Sequence, residues 1–283
     1  MNLSIVTINY NNKKGLAKTI ESVTNQEFKD FEWIIVDGGS TDESVALIQD
    51  NLTHIDYWLS EKDQGIYDAM NKGIKASTRD YILFLNSGDY FYTNEATKII
   101  DTIDRNTDFV IFDYMKKMTS DILKIEQNVD PRSYLIDGMF CHQSVLHKRT
   151  LFDKIGLYDT SYEIAADYAL FLKGFFEHNA TFNYINKALV LYDDTEGVSD
   201  YNVVTESIYV NERIKAKKSV FANEIIETLA SRDILINELN QSKYNYDGLL
   251  NSKLIQLTIS VIQLKNYFIK TVKKLFQIKN NLV

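Results

Sequence analysis

Residues 81–91 read YILFLNSGDYF. Five apolar residues, Tyr81 to Leu85, are followed by Asn86, Ser87, Gly88 and Asp89 and then at once by two aromatics. A short apolar run bounded by turn residues reads as a buried strand ending in a kink. Asn, Ser, Gly and Asp are the commonest turn formers, so a plain turn accounts for the composition. The sharper reading is a carboxylate, Asp89, held at the carboxyl end of a central strand, where open α/β sheets bind ligands.

The rhythm around this stretch favours the sharper reading. β-branched runs at 3–8, 31–36, 55–59, 81–85 and 109–113 alternate with helix-period segments at 15–24, 42–50, 65–76 and 95–104. Strands separated by crossover helices predict a largely parallel, Rossmann-like α/β sheet. After residue 113 the pattern changes. Segments 122–127 and 138–146 read as strands of a small mixed second sheet, followed by helices at 149–155 and 167–178 and a strand at 181–192. From about 203 onward the chain is helix-like and free of proline. The expected organisation is one α/β domain over residues 1–200 and a helical C-terminal appendage over 201–283.

Composition narrows the function classes. The 283 residues are 45% apolar and 25% charged, as in ordinary globular proteins, and the formal net charge of −8 argues against general nucleic-acid binding. Cys141 has no partner for a disulfide, and the four histidines show no zinc-ligand spacing. No signal peptide and no long uncharged apolar run is visible, so a cytoplasmic protein is expected. Six lysines and no acidic residue lie in 248–283, so the charge divides into +6 there and −14 over 1–247.

Three loops fall at the carboxyl ends of expected parallel strands: Asn9-Tyr10-Asn11-Asn12, Asp37-Gly38-Gly39-Ser40-Thr41-Asp42 and Asn86-Ser87-Gly88-Asp89. Each alone is an acceptable turn or helix cap. On one sheet edge they converge and offer an aromatic ring, carboxylates and a candidate metal ligand, a set suited to a nucleotide. IVTINYNN, IIVDGGSTDES, SEKDQGIYDAMNKGI, FLNSGDYF and IAADYALFLKGF, in this order, resemble family 2 glycosyltransferases with the GT-A fold, of the kind that builds bacterial surface polysaccharides such as O-antigen. The similarity spans roughly residues 1–200.

That resemblance implies inverting transfer of a sugar from a nucleotide-sugar, usually a UDP-sugar such as UDP-glucose, UDP-galactose or UDP-GlcNAc. The acceptor it implies is a saccharide hydroxyl, such as one on a lipid-linked saccharide. Carried over by position, Thr7, Asn9 and Tyr10 would line the base pocket and Asp37 would accept from the uracil ring. Asn86, Gly88 and Asp89 stand at the family's acidic metal motif, where Asn86 and Gly88 replace acidic residues. Asp89 is then the metal candidate, for Mn²⁺ or Mg²⁺, and Asn86 a contact to ribose or diphosphate. Asp167 matches the catalytic base; as a bland alternative, it is a carboxylate favoured at a helix N-terminus.

Further candidates are Asp63, placed to touch base or ribose, and Asp68 with Lys72, spaced as a helix-surface ion pair. His142 with Gln143, in FCHQS, is a pair that could face the acceptor or a metal, or His142 is a packed residue, and Gly197-Val198-Ser199 is a candidate closing loop. Leu254, Leu257, Val261, Leu264, Phe268, Val272 and Leu275 form a helical apolar seam. It predicts either an interface, including a homo-oligomeric one, or peripheral attachment to anionic lipid, with the lysines alongside. Two other enzyme classes fit poorly. A nucleotidyltransferase wants a Gly- and Arg-rich loop after the first strand, and a dehydrogenase wants G-x-G-x-x-G there. A non-catalytic nucleotide-sugar-binding module remains open.

Overall fold

The computed structural model describes residues 2–103, 106–117, 121–193 and 203–221, with 264, 265 and 270. The tail seam therefore lies outside the described residues, apart from Leu264, as does the 197–199 loop. The chain divides into two compact units, Met1–Ala216 and Lys217–Val283.

In the first unit the strand-helix alternation builds one sheet. β1 (Leu3–Asn9) is buried along its whole length and is central. It pairs in parallel with β2 (Glu32–Asp37) on one side and β4 (Tyr81–Phe84) on the other, and β3 (Tyr57–Ser60) adds in parallel to β2. The order β3-β2-β1-β4 reverses direction between β1 and β4, which makes the crevice above their carboxyl ends the topological switch point. The connecting helices are α1 (Lys13–Thr24), α2 (Ser44–Asp50) and α3 (Ile66–Ala76). Leu16, Ile20 and Val23 of α1 pack on the sheet face that carries Leu3, Ile5, Trp33 and Leu83.

Beyond β4 come the two-residue β5 (Tyr90–Phe91), α4 (Ala96–Asp101), β6 (Phe109–Lys117), β7 (Ile122–Ile125), α5 (Pro131–Tyr134), β8 (Val145–Lys148) and α6 (Arg149–Ile155). α7 (Ala166–Leu172), β9 (Phe182–Asp193) and α8 (Val203–Val220) follow. β8 pairs antiparallel with β4 and with β6, so these strands continue the first sheet. The small mixed second sheet is therefore the outer half of a single curled sheet, with β9 parallel to β6 and β5 and β7 antiparallel at its margins.

One expected strand is shorter than its apolar pattern suggests. Segment 138–146 enters the ladder only at Val145, and residues 142–144 form a 3₁₀ turn. The Gln127 side chain accepts from Cys141 N and donates to Phe112 O and Ser144 Oγ, so it takes bonds that a ladder would otherwise supply. This detour holds His142 and Gln143 over the switch point.

Candidate active site

The register sets Asn9, Asp37 and Ser60 side by side at the ends of β1, β2 and β3. Asp37 is fully buried, and its carboxylate is filled from within the protein. Oδ1 accepts from Asn9 Nδ2 (2.8 Å) and Ser40 Oγ (2.5 Å). Oδ2 accepts from Gly39 N (3.2 Å), Ser40 N (2.9 Å) and Ser60 Oγ (2.7 Å). Burial alone would raise this carboxyl, but the bonds from Ser40, Ser60 and Asn9 outweigh it and hold the group below the usual carboxylate value. Asp37 thus organises the loop and does not face a base. Thr7 needs the same correction: it is fully buried, with its hydroxyl accepting from Trp33 Nε1 at 3.1 Å beneath the loop. Asn9 is also buried, its Nδ2 donating to Asp37 Oδ1 and Ser40 Oγ, so it fixes the loop.

The open wall of the crevice is built from Tyr10, Gly38 and Asp63. Tyr10 is 65% exposed. A Cβ at Gly38 would fall 2.5 Å from Asp63 Oδ2 and 3.2 Å from Tyr10 Cδ2, so glycine lets that ring and that carboxylate flank one notch without either shifting. Asp63 Oδ1 accepts from Gly65 N at 3.0 Å, and Oδ2 faces the notch. Lys72 pairs with Asp68 at 3.2 Å, as its spacing suggests, and with Glu61 at 2.9 Å.

The kink after β4 rests on α1. Ser87 N still bonds Ile8 O, extending the β1 ladder. Gly88 then turns at φ +106°, a conformation that favours glycine. Thr19 Oγ1 of α1 accepts from Gly88 N (3.0 Å) and donates to Asp89 O (2.7 Å), and Asn12 Nδ2 donates to Ser87 O (3.0 Å). Asp89 is nearly buried, with Oδ2 accepting from Gln143 Nε2 at 3.0 Å. Asn86 Oδ1 is buried with no hydrogen-bond partner. No cluster of three or more His, Cys, Asp or Glu side chains able to hold a metal occurs among the described residues. One carboxylate and one unpartnered amide oxygen are nevertheless hard oxygen donors of the kind Mg²⁺ or Mn²⁺ would take.

Asp167 stands in the first turn of α7, nearly buried. Oδ1 accepts from Tyr168 N at 2.8 Å and lies 3.3 Å from Tyr67 Oη, while Oδ2 lies 3.2 Å from His142 Nδ1. His142 Nε2 is in turn 3.3 Å from Asn86 Nδ2. An ionised carboxylate only accepts, so these contacts assign the proton of a neutral His142 to Nδ1 and leave Nε2 to accept from Asn86. The neighbouring Cys141 is an inert thiol, pushed up to about 12 by burial and by the Asp89 charge.

The fold thus gathers Tyr10, Asp63, Asn86, Gly88, Asp89 and Asp167, with His142 between Asn86 and Asp167. Sequence reasoning singled out Gln143 beside His142 in FCHQS, and the structure sets it on Asp89. It missed Thr19, Tyr67 and Gln127, which act through contacts far apart in sequence that no local pattern encodes.

A family model described as Glycosyl transferase family 2 matches residues 4–151. A PGL/p-HBAD biosynthesis glycosyltransferase of Mycobacterium bovis is 28% identical over 203 residues, covering 70% of this chain and 78% of the relative. An uncharacterized glycosyltransferase of Mycobacterium tuberculosis is 32% identical over 177 residues, 60% of this chain and 68% of its own. Among solved structures, S. aureus TarS 1–349 in complex with UDP-GlcNAc superposes with a TM-score of 0.62 at 16% identity, covering 93% of this chain and 81% of that one. The mannosyltransferase PcManGT from Pyrobaculum calidifontis, in complex with GDP-Man and Mn²⁺, gives 0.61 at 14% identity over 98% and 87%. Both likenesses bear on the fold.

Proposed function

The chain belongs to glycosyl transferase family 2 and is a glycosyltransferase, and from that premise we propose that it transfers a sugar from a UDP-sugar to an acceptor hydroxyl with inversion. Asp167 is the base in this reading. The observation that carries it is the run Asn86–His142–Asp167, two contacts of 3.3 and 3.2 Å that hold the carboxylate within one imidazole of the kink.

The base notch favours a ring with one N–H donor. Asp63 Oδ1 is taken by Gly65 N, which leaves Oδ2 for the single N3–H of uracil while Tyr10 stacks on the ring. The first turn of α1 offers the diphosphate little, because Lys13 N bonds Asp42 Oδ2 and Gly15 N bonds Asn12 Oδ1. The kink is then the place where diphosphate charge is met. Asp89 and Asn86 would hold a divalent ion there, which when bound offsets the charge developing on the leaving group.

Asp167 takes the acceptor hydroxyl's proton as that oxygen bonds the anomeric carbon and the bond to the diphosphate breaks, its electrons leaving with UDP. A single displacement inverts the anomeric centre. His142 and Tyr168 N fix the carboxylate's orientation during the step.

For the acceptor we propose a lipid-linked saccharide, and for the lysine-rich 253–279 segment peripheral attachment to an anionic membrane, both on the strength of the tail's charge and apolar seam. Among the described residues no helix is long and apolar enough to cross a membrane. A panel of UDP-glucose, UDP-galactose, UDP-GlcNAc and GDP-mannose with Mn²⁺, read by nucleotide release, tests the donor. UDP release from at least one member is expected, with NMR of the product showing the inverted anomer. Release from GDP-mannose alone or a retained anomer overturns this reading, and binding without release from any member marks a non-catalytic module.

A further inference from the structure

Helix α7 starts without a cap of its own, because its N-cap residue is Ala165, which has no side-chain acceptor. The acceptor comes from α8, beyond the 4–151 stretch that the family model matches. Glu212 Oε1 accepts from Glu163 N at 2.6 Å, and Oε2 accepts from Ile164 N and Ala165 N, both at 2.9 Å. Of these three consecutive donors only Ala165 N, at the N-cap, is one that the helix itself leaves unpaired. The carboxylate therefore mainly anchors the segment leading into α7 and sets a negative charge at the helix's positive end. The same peptide is gripped from its other side, where Tyr67 Oη donates to Ile164 O at 2.5 Å. Asp167 follows three residues later and touches that same tyrosine.

The neighbours of Glu212 grip both flanks of the base. Arg213 stacks its guanidinium 4.5 Å from the Tyr168 ring centroid and donates to Gly138 O at 3.1 Å. Lys215 lies 3.9 Å from the Tyr162 ring centroid and donates to Ser161 Oγ at 2.7 Å. Residues 161–165 and 168, on either side of Asp167, are thus held by one turn of α8.

We infer that Glu212 is a positioning residue for Asp167: by anchoring residues 163–165, which lead into α7, it sets where the carboxylate meets the acceptor hydroxyl. This rests on the assignment of Asp167 as base. Displacing a reacting group by about 1 Å can cost about 10²-fold in rate, so the position of this anchor bears on turnover and not on nucleotide affinity.

The test uses the full chain and the UDP-sugar with the fastest release in the panel, radiolabelled, alongside calorimetric affinity for UDP. Asp167→Asn alone comes first; unchanged turnover there removes the base assignment itself. With that established, Glu212→Ala is expected to lower kcat by about 10- to 100-fold, leaving UDP affinity intact. Glu212→Gln, which keeps the shape and one acceptor oxygen, is expected to recover part of the loss. In an Asp167→Asn background Glu212→Ala should lower the residual rate no further, because its effect runs through the missing carboxylate. An equal fold-loss in both backgrounds, weakened UDP binding, or unchanged kcat in the single variant overturns the inference. If Glu212→Ala does not fold, the Glu212→Gln pair is read by the same criteria.

Discussion

His142 Nδ1 lies 3.2 Å from Asp167 Oδ2, although the two residues come from different elements, the 3₁₀ turn before β8 and the first turn of α7. The contact ties the carboxylate to the kink through Asn86. Asp167→Asn should therefore leave UDP affinity nearly intact while lowering turnover by about 10²-fold or more. Calorimetry and single-turnover kinetics on one preparation check this, and unchanged turnover would remove Asp167 from the mechanism.

Asp37 and Asp63 should separate cleanly. Asp37→Ala strips the acceptor from buried Asn9 and half-buried Ser40 and Ser60 at once, and the donors left behind should lower unfolding stability by about 2–4 kcal/mol. Asp63→Ala should leave stability unchanged and weaken UDP binding by about 1.5 kcal/mol, roughly tenfold in Kd. Urea denaturation and calorimetry on both variants decide the point. UDP affinity falling only in a fully folded Asp37→Ala would restore Asp37 to the base pocket.

Asp89→Ala removes the one carboxylate at the kink and unpairs Gln143 Nε2. We expect Mn²⁺-stimulated UDP binding and sugar transfer to be nearly lost. Wild-type activity undiminished in excess chelator would show that the kink works without a metal.

These outcomes divide along what the sequence makes legible. The strands and helices of the first half follow from period and turn chemistry, so the three convergent loops could be placed before any coordinates. What an acidic residue in such a loop does could not. In the sequence Asp37 stands ahead of Asp63 as the partner of a base, and only the strand register, which aligns Asn9 and Ser60 with Asp37, shows it turned inward. The 138–144 detour was hidden because an apolar run reads as strand, whereas Gln127 supplies the competing bonds from 14 residues away. The contacts of Glu212 span 47 to 49 residues and leave no local trace.

The tail prediction rests on charge. With −14 over residues 1–247 and +6 beyond, only the tail should be drawn to anionic lipid. The full chain should sediment with vesicles containing phosphatidylserine and release as salt rises, since the Debye length shortens to about 3 Å at 1 M. A truncation after Asp247 should lose vesicle binding and keep UDP release. A truncation that changes oligomeric state instead makes the seam a subunit interface.

His147 gives a pH dependence with a definite sign. Its ring is packed among Phe84, Phe109, Phe152 and Phe171. Burial first, and the nearby His142 second, push its imidazole down to about 3. Between that value and about 6.5 the unfolded chain binds a proton that the folded chain refuses, so stability rises with pH across this window and falls on acidification. Down to pH ~4.5 the loss from this residue alone should reach about 2 kcal/mol. Carboxylates with lowered values, such as Asp37, Asp113 and Glu32, begin to contribute at about pH 5 and act mostly below it. They do so alike with and without the His147 imidazole, so the difference between wild type and variant isolates His147. In His147→Leu the slope of unfolding free energy between pH 6.5 and 4.5 should flatten by that amount, whatever the variant's stability at pH 7. An unchanged slope would mean that His147 gains its proton in the folded chain as easily as in the unfolded one.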